Sequence, residues 1–205
     1  MAPIRSFIFD IGNVLVPFDF RRAMRRIESQ SAVPMDHLPP QVKSITDAYE
    51  SGRIGRVEFL ETIIAALEYK GPEAEFVAAW EDIFEENAAM TRLVERLHGR
   101  YPLYLLSNTS CIHVDYFTAK YPVFRYFSDA VYSHLARCTK PGRQIFEIAA
   151  SQFGVNPGET FFIDDLPANV ATARELGFQA FQYDYNRHEE LLAQLAALGV
   201  AGIAE

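Results

Sequence analysis

The sequence has little of what staples, anchors or charges a chain positively. Two cysteines, Cys111 and Cys138, are all it holds in 205 residues. Their spacing fits no metal-ligand pattern; free thiols in a reducing compartment are expected, with a disulfide between the two as the alternative. No apolar run approaches the ~20 residues of a membrane-spanning helix. The N-terminal stretch lacks the apolar core of a signal peptide, so a cytoplasmic protein is expected. Basic residues are outnumbered, 19 against 27 acidic ones, giving a formal charge of −8. That balance speaks against nucleic acid or an anionic membrane as partner. An anionic small molecule would need local positive groups or a bound cation. The five histidines, His37, His98, His113, His134 and His188, stand at no zinc spacing, and the helix surface is the expected place of His113. Ser107 lies in no Gly-x-Ser-x-Gly elbow, which removes a serine-hydrolase reading. Internal repeats and low-complexity tracts are also missing.

Apolar residues are plentiful, at 49% with 13% aromatic, as in globular chains, and the length suits one large domain or two small ones. The most informative stretch is RSFIFDIGNVLVPFD, Arg5 to Asp19. Phe7-Ile8-Phe9 is short enough for a buried strand and stops at Asp10. Gly12 and Asn13 tolerate unusual backbone angles and precede a second apolar run, Val14-Leu15-Val16. Open α/β sheets place their chemistry here, in the crevice beyond the strand C-termini. Taken alone, Asp10 could equally be a turn-closing residue.

Between Asp19 and Phe84 no strand signal intervenes. The spacing predicts a basic amphipathic helix from Phe20, with Arg21, Arg22, Arg25 and Arg26 on a solvated face, and further helices over Val42–Tyr49, Val57–Tyr69 and from Pro72 through Phe84. Trp80 and its aromatic neighbours are expected to be the core of this bundle. Thereafter strands alternate with helices: helix Met90–His98, strand Tyr101–Leu106, helix Val114–Lys120, strand Asp129–Tyr132, helix Gln144–Phe153, strand Thr160–Ile163, helix Pro167–Leu176, strand Gln179–Tyr183 and a helix from about Arg187. Such alternation implies an α/β fold with a Rossmann-like, doubly wound parallel sheet. The expected organisation is a discontinuous core, residues 1–16 and 88–205, interrupted by a four-helix cap, residues 17–87.

Strands end in polar clusters at Asp10, at Ser107-Asn108-Thr109 and at Asp164-Asp165, which converge if the strands are neighbours. Lys140-Pro141 adds a cation before a helix, with Pro141 read at its first turn. Each has a plainer reading: Ser-Asn-Thr as an N-cap cluster, Asp165 with Pro167 as a cap and first-turn pair, Lys140 as a surface lysine. Together their chemistry is coherent. Clustered Asp10, Asp164 and Asp165 would repel one another unless a cation intervened, and an all-oxygen ligand set suits Mg²⁺. Ser107, Asn108 and Lys140 would supply donors and charge to a phosphoryl group, and a carboxylate beside the cation could attack phosphorus.

At FDIGNVLV, LLSNT, Lys140-Pro141 with the following Gln-Ile-Phe, and FFIDDLPAN, which includes Asn169, the sequence resembles the haloacid dehalogenase superfamily of hydrolases. The resemblance implies Asp10 as nucleophile through an aspartyl-phosphate, Ser107, Asn108 and Lys140 as phosphoryl-binding residues, and Asp10, the Gly12 carbonyl, Asp164 and Asp165 as holders of Mg²⁺. It also implies that the Glu50-Ser-Gly-Arg-Ile turn is a substrate-specificity loop of the cap. The expected activity is phosphomonoester hydrolysis on a small phosphorylated metabolite, a sugar phosphate resembling glucose 1-phosphate, by a monomer or weak homodimer. A 2-haloacid dehalogenase and a non-catalytic binding module are the rivals. One departure stands out. Phosphatases of the superfamily usually carry a second Asp where this chain has Gly12, so a general acid is missing from its usual place. Asp19 is a substitute to consider, against the simpler expectation of an N-cap.

Overall fold

The computed structural model describes residues 2–34 and 38–203; His37 lies outside them. Five strands, β1 (Ser6–Phe9), β2 (Leu103–Ser107), β3 (Asp129–Tyr132), β4 (Thr160–Asp164) and β5 (Gln179–Gln182), form one sheet in the order β3-β2-β1-β4-β5. All four pairings are parallel. Strand β1 is central, and Phe7, Ile8 and Phe9 are fully buried, which is why it reads as an unbroken apolar run instead of an alternating one. Side-chain alternation sends Phe7 and Phe9 into one apolar cluster and Ile8 into another on the opposite face.

The helices are α1 (Phe20–Ile27), α2 (Pro40–Glu50), α3 (Arg56–Ala66), α4 (Glu73–Glu81), α5 (Ala88–Leu97), α6 (Cys111–Lys120), α7 (Ser133–Ala136), α8 (Arg143–Phe153), α9 (Pro167–Glu175) and α10 (His188–Ala197). Leucines of α5 and α10 and Phe117 of α6 join the Phe7 and Phe9 face, whereas Ile145 and Phe146 of α8 and Ala173 of α9 cover the Ile8 face. Helices on both faces make the sheet doubly wound.

Helices α1 to α4 lie between β1 and α5, with α1 packed on α4 and α2 on α3. Phe59, Phe76 and Trp80 are buried among them and their rings are in contact. The chain enters and leaves this segment side by side. Phe18 bridges to Phe84 in antiparallel fashion, and Asp19 N–H and Glu85 N–H donate to the carbonyls of Ile83 and Pro17. Asp19 caps α1, accepting from Arg21 N–H at 3.0 Å, as its sequence position suggested. Arg21, Arg25 and Arg26 are exposed, while Arg22 is half-buried and pairs with Glu85.

The expected elements are present with shifted ends. Ser107 is the last residue of β2, not a residue beyond it, and α6 begins at Cys111 instead of Val114. Its N-cap is Ser110, so Ser107-Asn108-Thr109 is not a capping cluster. Likewise Leu166, not Asp165, is the N-cap of α9, and Pro141 precedes Gly142, the N-cap of α8, so it is outside that helix.

Candidate active site

The register of the central strands brings the chemistry together. Phe9 lies opposite Leu105 on one side and Ile163 on the other, so the next step along each strand places Asp10 between the ends of β2 and β4. One carboxylate oxygen each of Asp10, Asp164 and Asp165 lies within 4.8 Å of the others. Lys140 is inserted between two of them, Nζ 2.9 Å from Asp10 Oδ1 and 2.6 Å from Asp164 Oδ2. The same ammonium donates to the Leu106 carbonyl at 2.8 Å. With 4% of its surface exposed, Lys140 is no surface lysine.

Each carboxylate has a distinct setting. Asp164 is fully buried; its Oδ1 accepts from Leu166 N–H and from Asn169 Nδ2, both at 2.9 Å. Asp10 Oδ1 accepts from Ile11 N–H at 2.7 Å, whereas Oδ2 takes no protein hydrogen bond among the described residues. Asp165 is half-buried and accepts from Asn13 Nδ2 at 2.9 Å. Asn13 is held in the left-handed region, φ 57°, a conformation asparagine tolerates.

Three carboxylates therefore face one ammonium. Burial pushes the Asp10 carboxyl up to about 7, with Lys140 opposing and Asp164 and Asp165 adding to the rise. Burial works against the charge on Lys140 too, yet Asp10 and Asp164 outweigh it and hold the ammonium above its ordinary range. Asp165 is raised as well, chiefly by burial. A cluster in which carboxylates exceed cations, with oxygen donors converging, fits a hard divalent ion, which would offset the burial and the lesser carboxylate repulsion that raise Asp10.

These groups line a cavity of about 240 Å³. Asp10, Gly12, Ser107, Asn108, Lys140 and Asp165 form the sheet side; Asp164 lies beneath them, bonded to Lys140. The buried Ser107 hydroxyl has no protein partner among the described residues and is free to meet a ligand. Asn108 is differently employed: its Oδ1 accepts from Lys140 N–H and its Nδ2 donates to the Lys140 carbonyl, both at 2.9 Å. Its side chain fixes the lysine-bearing loop.

The opposite wall comes from the helical segment and α6: Phe18, Phe20, Ile83, Phe84, Glu50 and His113. His113 corrects an expectation. It is 4% exposed, not on a helix surface; its ring stacks on Trp80 and meets Phe84 edge-on. Its Nε2 is 3.1 Å from the Trp80 carbonyl, and burial pushes its pKa down to about 4, so it is neutral. A short-range pattern could not show this, since the aromatic residues that bury it come from Phe20 and Trp80, far along the chain. Asp19 is likewise no part of this cavity; it pairs with Arg21 on the outside.

Glu50, which the sequence placed in the turn resembling a substrate-specificity loop without giving it a role of its own, is the titratable group on this wall beside His113. Burial raises its carboxyl to about 7, with Asp47 and Asp10 adding and Lys43 opposing. Sequence reasoning missed Ser133. Its Oγ accepts from Thr109 N–H at 2.9 Å and donates to the Glu50 carbonyl at 2.5 Å, joining the loop after β2 to the end of α2. Phe18 explains the glycine at position 12: a Cβ there would lie 2.8 Å from the Phe18 ring. The ring occupies the space that a side chain at that position would enter.

Residues 4–177 match the haloacid dehalogenase-like hydrolase family; the chain belongs to that family and is a hydrolase. It is 27% identical over 188 residues, 87% of this chain and 91% of the relative, to D-ribitol-5-phosphate phosphatase of Bacteroides thetaiotaomicron. A haloacid dehalogenase family enzyme of the same organism superposes with a TM-score of 0.84 at 26% identity, covering 94% of this chain and 99% of that one. In its complex with magnesium and inorganic phosphate the TM-score is 0.79 at 26% identity, with 90% and 96% covered. A predicted hydrolase of Porphyromonas gingivalis gives a TM-score of 0.80 at 28% identity, with 95% and 98% covered.

Proposed function

We propose that the protein is a Mg²⁺-dependent phosphomonoesterase acting on a small phosphorylated metabolite, a sugar or sugar-alcohol phosphate, through an aspartyl-phosphate on Asp10. The observation that carries this reading is the buried cluster in which Asp10, Asp164 and Asp165 outnumber the single ammonium of Lys140. The D-ribitol-5-phosphate phosphatase relative and the magnesium and phosphate complex of the structural neighbour support it. A 2-haloacid dehalogenase would have no use for three clustered carboxylates.

In this reading Asp10, Gly12, Asp164 and Asp165 hold the cation. Mg²⁺, when bound, supplies the positive charge that neutralises the carboxylates and draws a phosphoryl oxygen to the site. Asp10 Oδ2, free of protein hydrogen bonds, attacks phosphorus as the bond to the leaving oxygen breaks. Lys140, the Ser107 hydroxyl and the backbone at Asn108 bind the phosphoryl oxygens; Asn108 also positions Lys140. Water then cleaves the acyl phosphate, releasing inorganic phosphate and restoring Asp10. Residues 17–87 act as a cap on a core of residues 1–16 and 88–205, its aromatic wall excluding water and selecting the leaving group.

The test is phosphate release from sugar 1-phosphates, sugar 5- and 6-phosphates, D-ribitol 5-phosphate and p-nitrophenyl phosphate, with Mg²⁺ or EDTA and with Asp10→Asn as control. Turnover that needs Mg²⁺ and vanishes in the control is expected. No turnover in the folded, Mg²⁺-supplied protein would overturn the reading.

A further inference from the structure

Resting on the phosphatase reading, we infer that Glu50 is the general acid for the leaving oxygen, delivered from the helical segment across the cavity in place of the carboxylate absent at position 12. Five groups that titrate as acids or bases line this cavity among the described residues: Asp10, Asp165, Lys140, His113 and Glu50. Lys140 is committed to Asp10 and Asp164. Asp10 and Asp165 belong to the cation cluster. His113 is held neutral by burial and its Nε2 is engaged by the Trp80 carbonyl, so it has no acidic proton to give near neutral pH. Glu50 remains. It stands on the wall opposite Asp10, half-buried, and its carboxyl makes no protein hydrogen bond among the described residues.

Its placement is built, not incidental. The Glu50 carbonyl accepts from Ser133, and the preceding Tyr49 hydroxyl lies 2.9 Å from Cys111 Sγ on α6. Two residues on, Gly52 has φ 68° and passes so close to α7 that a Cβ would lie 2.2 Å from the His134 carbonyl oxygen. The end of α2 is thus tied to α6 and α7 on both sides of Glu50. Meanwhile Phe18 closes the space above Gly12, so the proton donor has no room at its usual place and has one opposite. In the step itself the P–O bond to the alcohol breaks as Asp10 bonds phosphorus, the leaving alkoxide takes the Glu50 proton, and Glu50 carboxylate then recovers a proton from the water that cleaves the acyl phosphate.

The experiment compares the intact protein with Glu50→Gln and Glu50→Asp on two substrates, with Mg²⁺ present. One is D-ribitol 5-phosphate or whichever alkyl phosphate the panel favours; the other is p-nitrophenyl phosphate, whose phenolate leaves without a proton. General acid help is worth roughly 10²–10⁴-fold, so Glu50→Gln should lower kcat on the alkyl phosphate by about 10²-fold or more while changing the aryl rate by less than about threefold, and Glu50→Asp should restore part of the loss. Equal losses on both substrates, or a raised KM with unchanged kcat, would overturn the inference and leave the phosphatase reading intact. Absence of any turnover by the unaltered protein would overturn both.

Discussion

The two walls of the cavity differ in how they are made. The sheet wall is a network of charge: Lys140 bridges two carboxylates, and Asn108 and Asn169 brace the bridge, leaving the Ser107 hydroxyl and Asp10 Oδ2 without protein partners among the described residues. The opposite wall is aromatic, lined by Phe18, Phe20 and Phe84 and carrying one carboxyl, that of Glu50. Fixed dipoles and charges suit the group that every substrate of the class shares, the phosphoryl. An apolar wall with one carboxyl, the proton donor inferred above, would suit the part that varies, the leaving alcohol. In the proposed reading the first wall would do the general chemistry and the second would decide what undergoes it.

Breaking the charged wall should have the largest effect. Lys140→Met leaves three carboxylates without their ammonium, and removal of one partner from a buried charge network costs about 3–5 kcal/mol; urea unfolding in EDTA should show that loss, and phosphate release should fall below detection. The apolar wall answers to pH through His113. The buried imidazole protonates near 4 and an unfolded one near 6.5. Between those values the unfolded chain holds more protons at this histidine, so the His113 contribution falls as pH drops through that window and is constant above it, whereas Asp10 and Glu50, both raised to about 7, act in the opposite sense and cancel when the protein is compared with His113→Gln. The loss should be on the order of 3 kcal/mol by pH 4, absent in His113→Gln, and measurable by unfolding monitored through the single tryptophan, Trp80, on which His113 stacks.

Two glycines sharpen the comparison where the walls meet. Gly52→Ala puts a Cβ against the His134 carbonyl at a positive φ and should cost about 2 kcal/mol in stability. By displacing Glu50 it should also lower kcat on alkyl phosphates more than on p-nitrophenyl phosphate. Gly12→Asp restores the usual second carboxylate but meets the Phe18 ring, an overpacking cost of about 1–2 kcal/mol. Adding Phe18→Ala should relieve it, and in a Glu50→Gln background the pair should recover turnover of alkyl phosphates. Failure of that recovery, with the variant folded, would show that position 12 no longer faces the leaving group.

The charged wall was legible because its residues end strands that are neighbours in the sheet: Asp10, Ser107 and Asp164 each terminate an apolar run, and a parallel sheet must bring such ends to one edge. Pattern and spacing therefore settled the α/β class, the order of elements and the residues of the charged cluster. They did not separate roles within it. That Asn108 serves Lys140 through its side chain, and that Lys140 is buried between carboxylates, depends on a loop folding back from residue 140 to the end of β2. The aromatic wall was illegible for the same kind of reason. Glu50 begins the turn that the resemblance marked as a substrate-specificity loop, but nothing local gives the residue a role; His113 is a histidine on a short helix and Ser133 an ordinary serine, and nothing local marks either. Only the packing of α2 against α6 and α7, and of Phe20 and Trp80 over His113, gives them their surroundings. The sequence by itself determined where strand ends place carboxylates, because that follows from periodicity and chain direction. Tertiary structure alone decided which distant groups face them across the cavity, because burial and proximity arise between segments that are far apart in the chain.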